Sequence, residues 1–402
     1  MKVLLVHNFY GSSAPSGENT VFHAEAELLL RNGHEVIEFT RQSDDIRGRG
    51  FVGAVQGGLS APWNLFAERK LRRLLERQRP QVMHAHNTFP LLSPAVFHAA
   101  GGLETATVLT LHNYRTFCAA GTPVRDGIAC TECLDRRSIL PAIRYGCYRG
   151  SRMATVPMAA MIGIHRAIGT WQRRLDAFIA LTEFQRDRLV SAGLPQEAVY
   201  IKPHFYPNPP VPEPWDTRED KVIYIGRLAA YKGVHILIEA WKIWGNTAPM
   251  LEIVGDGPEK KALERMAERC GGRISFTGQL SFSETQRRLA RARLLILPSV
   301  CFEGFPMAIR EAFALGVPTA ASRIGSIPCI VAEGKTGVLF SPADAFDLFH
   351  KARLLWSSPE RLRAIGASAR EEFEKKYTDS ANFDALMTIY ESAMERRLRR
   401  AS

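Results

Sequence analysis

The chain has 402 residues, of which 46% are apolar and 23% are charged. This is more than one hydrophobic core usually serves, so we expect two domains of roughly 200 residues each, and the absence of any uncharged apolar run of about 18 residues excludes a membrane-spanning helix. The formal charge of +11 is consistent with an anionic partner or with a merely basic, well-solvated surface.

The first predicted element is a buried strand in "MKVLLVHNFYG", and no signal-peptide cleavage site follows it. We therefore expect a cytoplasmic protein. A helix from Thr20 to Asn32 comes next, and strand-like runs alternate with helical ones from there on: "HEVIEFT", "PQVMHAH", "ATVLTLH" and "DAFIALT". This alternation predicts an α/β fold with a doubly wound parallel sheet.

The alternation stops at "HFYPNPPVPEPWD", residues 204–216, where five prolines exclude both a helix and a central strand. It restarts afterwards, which predicts a second doubly wound, Rossmann-like domain. We place the first domain at 1–205, a Pro-rich linker at 206–216 and the second domain at 217–379. Residues 380–402 are expected to form a helix with one apolar face that packs back on the first domain.

The stretch "CFEGFPMAIREAFALG" places Glu303 before a predicted helix and Glu311 inside its second turn, because Pro306 suits the first turn. Unpaired N–H groups at such a helix start form an anion site. Glu311 is flanked by apolar residues, so its carboxylate needs partners. Ribose hydroxyls would supply them.

Two further strand ends predict the same ligand. In "IYIGRLAAYKG", Gly226 ends a strand and is followed by Arg227 and Lys232, two cations suited to a leaving diphosphate. In "EIVGDGP", Gly255 ends another strand and would allow a base or ribose to approach the backbone.

These motifs, in this order and over nearly the whole chain, resemble those of retaining glycosyltransferases of the GT-B fold, family 4, in which two Rossmann-like domains face a cleft. The resemblance implies that the first domain binds the acceptor and the second the nucleotide sugar. It assigns direct roles in transfer to His112, Arg227, Lys232 and Glu303. It assigns donor binding to Gly17, Gly226, Arg227, Lys232, Gly255, Glu303, Gly304, Phe305, Pro306, Met307 and Glu311.

The first domain departs from the family pattern at two positions. Relatives usually have a Gly-Gly pair in the first loop, whereas "GSSAPSGENT" offers only Gly17 after Ser16. Many relatives follow the strand-end histidine, here His112, with Asp, whereas this chain has Asn113. The missing Gly-Gly pair weakens the expectation that the first loop contacts the diphosphate.

The resemblance further implies front-face transfer with retention of configuration. A hexose would pass from a nucleotide-diphosphate sugar to a lipid-linked or exopolysaccharide glycan, including polyprenyl-diphosphate-linked acceptors, in polysaccharide or lipopolysaccharide biosynthesis. Arg227 and Lys232 would stand where a metal ion would otherwise be needed, so no cofactor is expected for catalysis.

Four of the seven cysteines fall close together, in an insert at about 115–150: Cys118, Cys130, Cys133 and Cys147. Their C-x-x-C pair has the spacing of half a zinc site, and we predict a structural zinc over the alternative of scattered buried thiols. A similar segment occurs in one branch of family 4 that acts in polysaccharide assembly.

The segment after the insert interleaves arginines with apolar residues between Arg144 and Arg174. It suits either a helix pair that closes the first domain or a peripheral contact with an anionic membrane, which would be the inner face of the cytoplasmic membrane.

Two alternatives to a glycosyltransferase remain at this stage. One is a GT-B epimerase or phosphorylase, which the placement of Glu303 and Glu311 relative to Arg227 and Lys232 disfavours. The other is a nucleic-acid-binding protein, suggested by the charge and the cysteine cluster but poorly matched by paired glutamates at a helix start.

Overall fold

The computed structural model describes residues 1–11 and 16–401. Its strands are β1 (Lys2–Phe9), β2 (Glu35–Gln42), β3 (Val82–Asn87), β4 (Ala106–Thr110), β5 (Val124–Arg125), β6 (Ile128–Ala129), β7 (Ala177–Ala180), β8 (Val199–Ile201), β9 (Lys221–Ile225), β10 (Met250–Val254), β11 (Ile274–Gly278), β12 (Leu294–Leu297), β13 (Thr319–Ser322) and β14 (Gly337–Phe340).

The α-helices are α1 (Gly17–Arg31), α2 (Asp44–Arg47), α3 (Gly50–Ser60), α4 (Leu65–Gln78), α5 (Glu132–Asp135), α6 (Leu140–Tyr145), α7 (Arg152–Ala167), α8 (Thr170–Arg173), α9 (Glu183–Ser191), α10 (Val234–Trp244), α11 (Lys260–Ala267), α12 (Phe282–Arg291), α13 (Met307–Ala314), α14 (Ile327–Ile330), α15 (Ala345–Trp356), α16 (Pro359–Lys376) and α17 (Asp379–Ala401). Short 3₁₀ helices lie at Pro94–Ala100, Gln196–Ala198, Trp215–Thr217, Ala230–Lys232, Gly245–Thr247 and Glu268–Cys270.

The chain forms two compact units. The first comprises 1–123, 131–203 and 382–402, and the second comprises 124–130 and 204–381. Each unit contains a parallel six-stranded sheet, in the order β2-β1-β3-β4-β7-β8 in the first and β11-β10-β9-β12-β13-β14 in the second. The predicted fold class, two doubly wound α/β domains, is confirmed.

The first sheet is covered on both faces, which is why its strands are continuous apolar runs rather than alternating ones. In β1 the side chains from Val3 to Val6 are wholly buried. On one face of the sheet, Val3 and Leu5 pack with helix α1 through Phe22 and Leu29 and with helix α17 through Leu386 and Tyr390. The last helix thus contributes one apolar face to the core of the first unit.

The core of the second unit forms around helix α10, whose Leu237 and Trp241 pack with Leu251 of β10 and Ile296 of β12. Helix α10 follows Gly233, which has a φ of +70°. A Cβ at this position would lie 1.9 Å from the carbonyl oxygen of Pro298. Only glycine allows the start of α10 to approach the end of β12 so closely.

The division between the units differs from the sequence prediction at residues 204 and 205, which were placed in the first domain. They belong to the second unit, because the buried Arg310 donates to the Phe205 carbonyl and the Tyr206 N–H donates to the Tyr377 carbonyl at 2.9 Å. The β5-β6 hairpin, part of the predicted cysteine insert, also belongs to the second unit.

Helix α1 begins at Gly17, three residues before the predicted start, and ends at Arg31. Residues 12–15 of the preceding loop lie outside the described part of the chain. Among the residues that the structure describes, none belongs to a helix long and apolar enough to cross a bilayer.

Candidate active site

In the second unit, the structure gives two of the predicted donor-binding glycines a role within the sheet. Gly255 has a φ of +144°, and a Cβ there would lie 1.9 Å from the carbonyl oxygen of Gly226. The Gly226 N–H donates in turn to the Val254 carbonyl at 3.0 Å. The two glycines therefore let the ends of β9 and β10 touch backbone to backbone. The sequence analysis explained the glycine at position 255 by the approach of a ligand. The contact with the Gly226 carbonyl within the sheet explains it better.

Lys232 and Glu303 form an ion pair at the carboxyl ends of the strands in this unit. Lys232 ends the 3₁₀ turn that leads into α10, and Glu303 lies in the loop between β12 and α13. The Lys232 Nζ lies 2.6 Å and 2.9 Å from the two oxygens of Glu303, and the Ser299 hydroxyl donates to Glu303 Oε1 at 2.7 Å. The Lys232 side chain is 22% exposed and that of Glu303 12%.

The electrostatics of the pair keep the lysine charged. Burial acts to lower the pKa of Lys232, but Glu303, Tyr224 and Cys301 together outweigh it, so the pKa is raised above its ordinary value. Lys232 therefore remains an ammonium at neutral pH. The sequence analysis treated Lys232 and Glu303 as separate ligand contacts, whereas the structure couples them into one unit.

Arg227 is the exposed cation at this strand end. Its side chain is exposed, and within the described residues no ion pair involves it. The carbonyl of Arg227 accepts a hydrogen bond from the Tyr224 hydroxyl at 3.1 Å, which fixes the backbone. Glu303 neutralises the charge of Lys232, whereas Arg227 forms no ion pair among the described residues. Arg227 therefore supplies the uncompensated positive charge at this strand end.

Glu311 lies in α13 and is only 7% exposed. Its Oε2 accepts from Gln286 Nε2 at 2.8 Å, and Arg310 donates to its Oε1 at 3.3 Å. Burial raises the pKa of Glu311, and Arg310 and Gln286 oppose this shift. The sequence analysis named ribose hydroxyls as partners of this carboxylate, and the structure shows that the protein itself already supplies two. Each oxygen keeps a second lone pair for a ribose hydroxyl.

The start of α13 has the predicted form. Pro306 caps the helix, and Met307 is its first residue. Phe305 and Pro306 are buried, whereas Gly304 and Met307 are partly exposed. Because the first N–H groups of a helix have no intrahelical acceptor, this turn offers donors to an anion.

In the first unit, His112 follows β4 and meets His86 of β3. His112 Nε2 lies 3.1 Å from His86 Nδ1, and the two rings are stacked with centroids 5.3 Å apart. Burial, reinforced by neighbouring histidines and Lys202, holds the pKa of both far below the ordinary value, so both are neutral at pH 7.

Asn113, the second departure from the family pattern in this unit, contacts Glu18, the residue after Gly17. Asn113 donates to Glu18 Oε1 at 2.8 Å, and burial raises the pKa of Glu18, an effect that Asn113 and Arg115 oppose. Gly17 is the exposed first residue of α1. A polar link between the start of α1 and the end of β4 thus accompanies the missing Gly-Gly pair.

Of the four predicted zinc ligands, Cys118, Cys133 and Cys147 lie in the first unit and Cys130 in the second. Burial raises the pKa of the Cys118 thiol, and Cys147 adds to this. Cys133 and Cys147 pack in the same small apolar cluster. No three of the four bring their ligand atoms together among the residues described, so the structure offers no preformed zinc group and the zinc site stays a prediction.

The described residues do bring together one group of metal-ligand type, Glu25, His84 and His86, which the sequence analysis missed. The histidines of "HAH" in β3 alternate with Ala85 and so share one face of the sheet, which was the available signal. Lys202 Nζ lies 2.5 Å from Glu25 Oε1. An ammonium thus already stands where a metal ion would bind the carboxylate, and the group does not fit a metal centre.

Comparison with known proteins agrees with this geometry. The family model "Glycosyltransferase Family 4" matches residues 15–206, and "Glycosyl transferases group 1" matches residues 209–372. Both halves of the chain are glycosyltransferase domains. The group 1 domain includes the Lys232–Glu303 pair and Glu311, and the family 4 domain includes His86 and His112.

Among curated relatives, the chain is 36% identical over 159 residues to sulfoquinovosyl transferase SQD2 of Arabidopsis thaliana, which covers 38% of this chain and 30% of that protein. It is 27% identical over 176 residues to O-antigen chain mannosyltransferase C of Escherichia coli, covering 43% and 47%. The matches thus span about a third to a half of the length of these relatives.

A solved structure of Anabaena Alr3699/HepE in complex with UDP-glucose covers 96% of this chain and 99% of its own, with a TM-score of 0.67 and 17% identity. At this identity the likeness shows the fold, which is the GT-B arrangement of two parallel-sheet domains that the sequence predicted.

Proposed function

We propose that this protein is a retaining glycosyltransferase that transfers a hexose from a nucleotide-diphosphate sugar to a glycan acceptor. The observation that carries the proposal is the Lys232–Glu303 pair at the carboxyl ends of β9 and β12, with exposed Arg227 and the start of α13 in the same unit. These positive charges and N–H hydrogen-bond donors are the groups needed to stabilise a leaving diphosphate.

In the proposed reaction, the bond between the sugar C1 and the diphosphate oxygen breaks. The acceptor hydroxyl oxygen bonds to C1 on the same face, and its proton passes to the leaving phosphate. The electron pair of the broken bond stays on the diphosphate, so negative charge develops there. Arg227, Lys232 and the N–H groups of α13 stabilise that charge, and no protein nucleophile takes part.

Glu303 has two functions in this proposal. It holds Lys232 in place through both carboxylate oxygens, and it accepts hydrogen bonds from hydroxyls of the donor sugar. Glu311 binds the ribose from within α13, and its contacts with Gln286 and Arg310 hold the carboxylate still. His112 of the first unit contacts the donor sugar.

For the acceptor, we propose a lipid-linked or polysaccharide glycan, supported by relatives such as the O-antigen chain mannosyltransferase. UDP is the first nucleotide to test, since the structural neighbour was solved with UDP-glucose.

We further propose that the first unit contacts an anionic membrane surface, where a lipid-linked acceptor would be found. Helices α3 and α7 are neighbours, since a Cβ on Gly58 would lie 3.5 Å from Pro157 Cγ. Both helices expose apolar residues at helical spacing: Val52, Val55 and Leu59 on α3, and Met153, Val156 and Ile164 on α7. Exposed arginines lie close by in the chain: Arg144, Arg149 and Arg152. Such a pairing of apolar and basic groups suits the interface of an anionic bilayer.

The membrane contact is tested by co-sedimentation with vesicles of anionic or zwitterionic phospholipid. Met153→Asp should lower binding to anionic vesicles several-fold, whereas Ile243→Asp, a similar change on an exposed helix position of the second unit, should not. Equal sedimentation of the parent protein with both vesicle types would contradict the proposal.

The main proposal is tested by calorimetric titration with UDP and GDP, and then with their sugar conjugates, without added metal. We expect one diphosphate to bind and its affinity to fall in Glu311→Gln, which keeps the size of the side chain. Binding of neither diphosphate, together with salt-dependent binding of nucleic acid, would overturn the proposal.

A further inference from the structure

Gln286 is a buried glutamine on the inward face of α12. The helix turns Gln286, Leu289 and Ala290 inwards, at the spacing that places side chains on one face. Gln286 is only 4% exposed, although glutamine is usually found at the protein surface. The two apolar neighbours need no hydrogen bonds, whereas a buried amide does. The glutamine at this position therefore has to be explained by what its amide contacts.

The amide contacts the carboxylate of Glu311, which is held at both oxygens. From α12, Gln286 Nε2 donates to Glu311 Oε2 at 2.8 Å. From α13 itself, Arg310 donates to Glu311 Oε1 at 3.3 Å. All three residues belong to the second unit. A donor on each oxygen fixes the direction in which the plane of the carboxylate faces, whereas one donor alone would leave it freer to turn.

The surroundings of Glu311 act on its charge in opposite directions. Burial raises the pKa of the Glu311 carboxyl group, whereas Arg310 and Gln286 lower it. Arg310 keeps its positive charge at neutral pH, although burial lowers its pKa. The nearby Tyr206 hydroxyl is uncharged there, because burial and Glu311 raise its pKa. The two groups that keep Glu311 charged against burial are thus Arg310 and Gln286.

The charge of Glu311 also decides which end of the Gln286 amide faces it. A charged carboxylate can only accept hydrogen bonds, so it attracts the amide N–H and repels the amide oxygen. Gln286 Oε1 is buried and has no hydrogen-bond partner among the described residues. An unsatisfied buried oxygen costs stability, so a glutamine present for stability alone would have both ends bonded. What this side chain contributes is its N–H on Glu311.

We propose that Gln286 is a positioning residue for nucleotide binding, whose N–H holds the Glu311 carboxylate in one orientation and in its charged form. On the proposed function, on which this inference rests, Glu311 binds the ribose of the nucleotide within the second unit. A ribose hydroxyl donates to a charged carboxylate, and the lone pairs that Gln286 and Arg310 leave unused then point in fixed directions. Gln286 therefore acts on nucleotide binding through Glu311.

The variant that tests this role is Gln286→Met, because methionine is also unbranched and has no N–H donor. Glu311 then loses one of the two groups that oppose the effect of burial. We expect the midpoint of its titration to rise by about one pH unit, the value of one hydrogen bond to a charged group. Gln286→Lys restores a donor and should return the midpoint to that of the parent protein or below it. Ser283→Met, at an exposed position of α12, is the control and should match the parent.

The charge of Glu311 is measured by ¹³C NMR of the full chain labelled at the glutamate carboxyl carbon, with the Glu311 signal assigned from its loss in Glu311→Gln. This measurement needs no ligand. We expect Glu311 to be charged at pH 7 in the parent protein. An uncharged Glu311 at this pH would overturn the proposal even where no Gln286 variant folds, and so would equal midpoints in the parent and in Gln286→Met.

The affinity for UDP and GDP, measured by calorimetry over a range of pH, gives a second readout. Protonation of the phosphates is common to all variants and cancels in the comparison. At pH 8 we expect Gln286→Met to bind about fivefold more weakly, the value of one hydrogen bond, because the carboxylate is less well oriented. The difference should widen as the pH falls, since Glu311 loses its charge first in this variant. A difference that is the same at every pH would overturn the effect of Gln286 on the charge.

Kinetics separate a role in ribose binding from a general loss of structure. The ribose lies away from the bond that breaks, so Gln286→Met should raise the donor KM about fivefold and leave kcat unchanged. A lower kcat with an unchanged KM would overturn the role in nucleotide binding.

The outcomes also distinguish this proposal from the proposed function. Binding of a nucleoside diphosphate with the same affinity in the parent and in Gln286→Met would overturn the role of Gln286 and leave the proposed function standing. Failure of any nucleoside diphosphate to bind the parent protein would remove the proposed function, and with it the role of Gln286 in nucleotide binding. The ¹³C titration would then still decide whether Gln286 holds the charge of Glu311.

Discussion

The two units bring different chemistry to the carboxyl ends of their sheets. The first presents neutral rings, with His86 and His112 stacked and uncharged. The second presents ion pairs, Lys232 with Glu303 and Arg310 with Glu311. Both are built on a parallel six-stranded sheet, but the strand orders differ, because β1 lies between β2 and β3 in the first unit whereas β9 lies between β10 and β12 in the second. The difference in chemistry lies in a few side chains at the strand ends.

The contrast follows from what each unit buries beside those groups. In the first unit, His86 has three other histidines and a lysine nearby, so burial and mutual repulsion keep its ring neutral. In the second, each buried cation has its own carboxylate, which keeps it charged. Fixed cations suit the diphosphate of the proposed donor.

The largest expected effect comes from removing the carboxylate of Glu311. Glu311→Ala leaves the buried guanidinium of Arg310 with the Phe205 carbonyl but without a carboxylate, so we expect the free energy of unfolding to fall by about 3–5 kcal/mol. Urea unfolding followed by tryptophan fluorescence measures this. Glu239→Ala, an exposed helical glutamate of the same unit, should cost far less. Equal losses in the two variants would contradict the buried pair.

Next in size is Lys232→Ala, which removes the cation next to the proposed leaving diphosphate. We expect kcat to fall by about 10²–10³-fold, the range for one lost electrostatic contact to a developing charge, with a smaller change in donor KM. Lys242→Ala, at an exposed position of α10, is the matched control. A loss seen only in KM would mean that Lys232 binds the ground state.

The neutral histidines of the first unit predict a loss of stability in acid. Burial lowers the pKa of His7 and His84 to about 4, so between pH 6.5 and 4 the unfolded chain binds protons that the folded chain does not. Stability is therefore complete above pH 6.5 and falls as the pH drops through this window, by about 1.4 kcal/mol per pH unit for each histidine.

Hydrogen exchange resolved to peptides compares the units directly. Between pH 7 and pH 5, protection corrected for the intrinsic exchange rate should fall in peptides of β3 and β4 more than in those of β9 and β12. Equal loss in both units would show that the buried histidines do not set the acid response.

The smallest effect is expected for an exposed pair. Arg399 and Glu395 lie 3.2 Å apart on α17, with side chains 80% and 68% exposed. Glu395→Gln should change the free energy of unfolding by about 0.5 kcal/mol or less, because water and salt screen the pair. A loss as large as that of Glu311→Ala would show that burial does not separate the two kinds of ion pair.

Local patterns in the sequence were enough to predict the fold. The alternation of apolar runs and amphipathic segments predicted two parallel sheets, and the Pro-rich stretch at 204–216 placed the division between them within a few residues. The residues from Glu303 to Glu311 were found because a glycine-proline turn before a helix is a local signal.

The partners of those residues could not be read in the same way. Lys232 and Glu303 are 71 residues apart, and Gln286 and Glu311 are 25 apart. No periodicity links such positions, so the sequence suggested ligand contacts where the structure shows contacts within the protein. Gly255 is a similar case, because the backbone that approaches it belongs to Gly226.

The sequence by itself determined which residues stand at strand ends and helix starts, since hydrophobic period, proline and glycine act over a few neighbouring residues. Only the tertiary structure decided their charge and hydrogen-bonding state. Glu25 and Lys202, 177 residues apart, form a buried ion pair in the first unit because α1 and β8 pack in one layered fold.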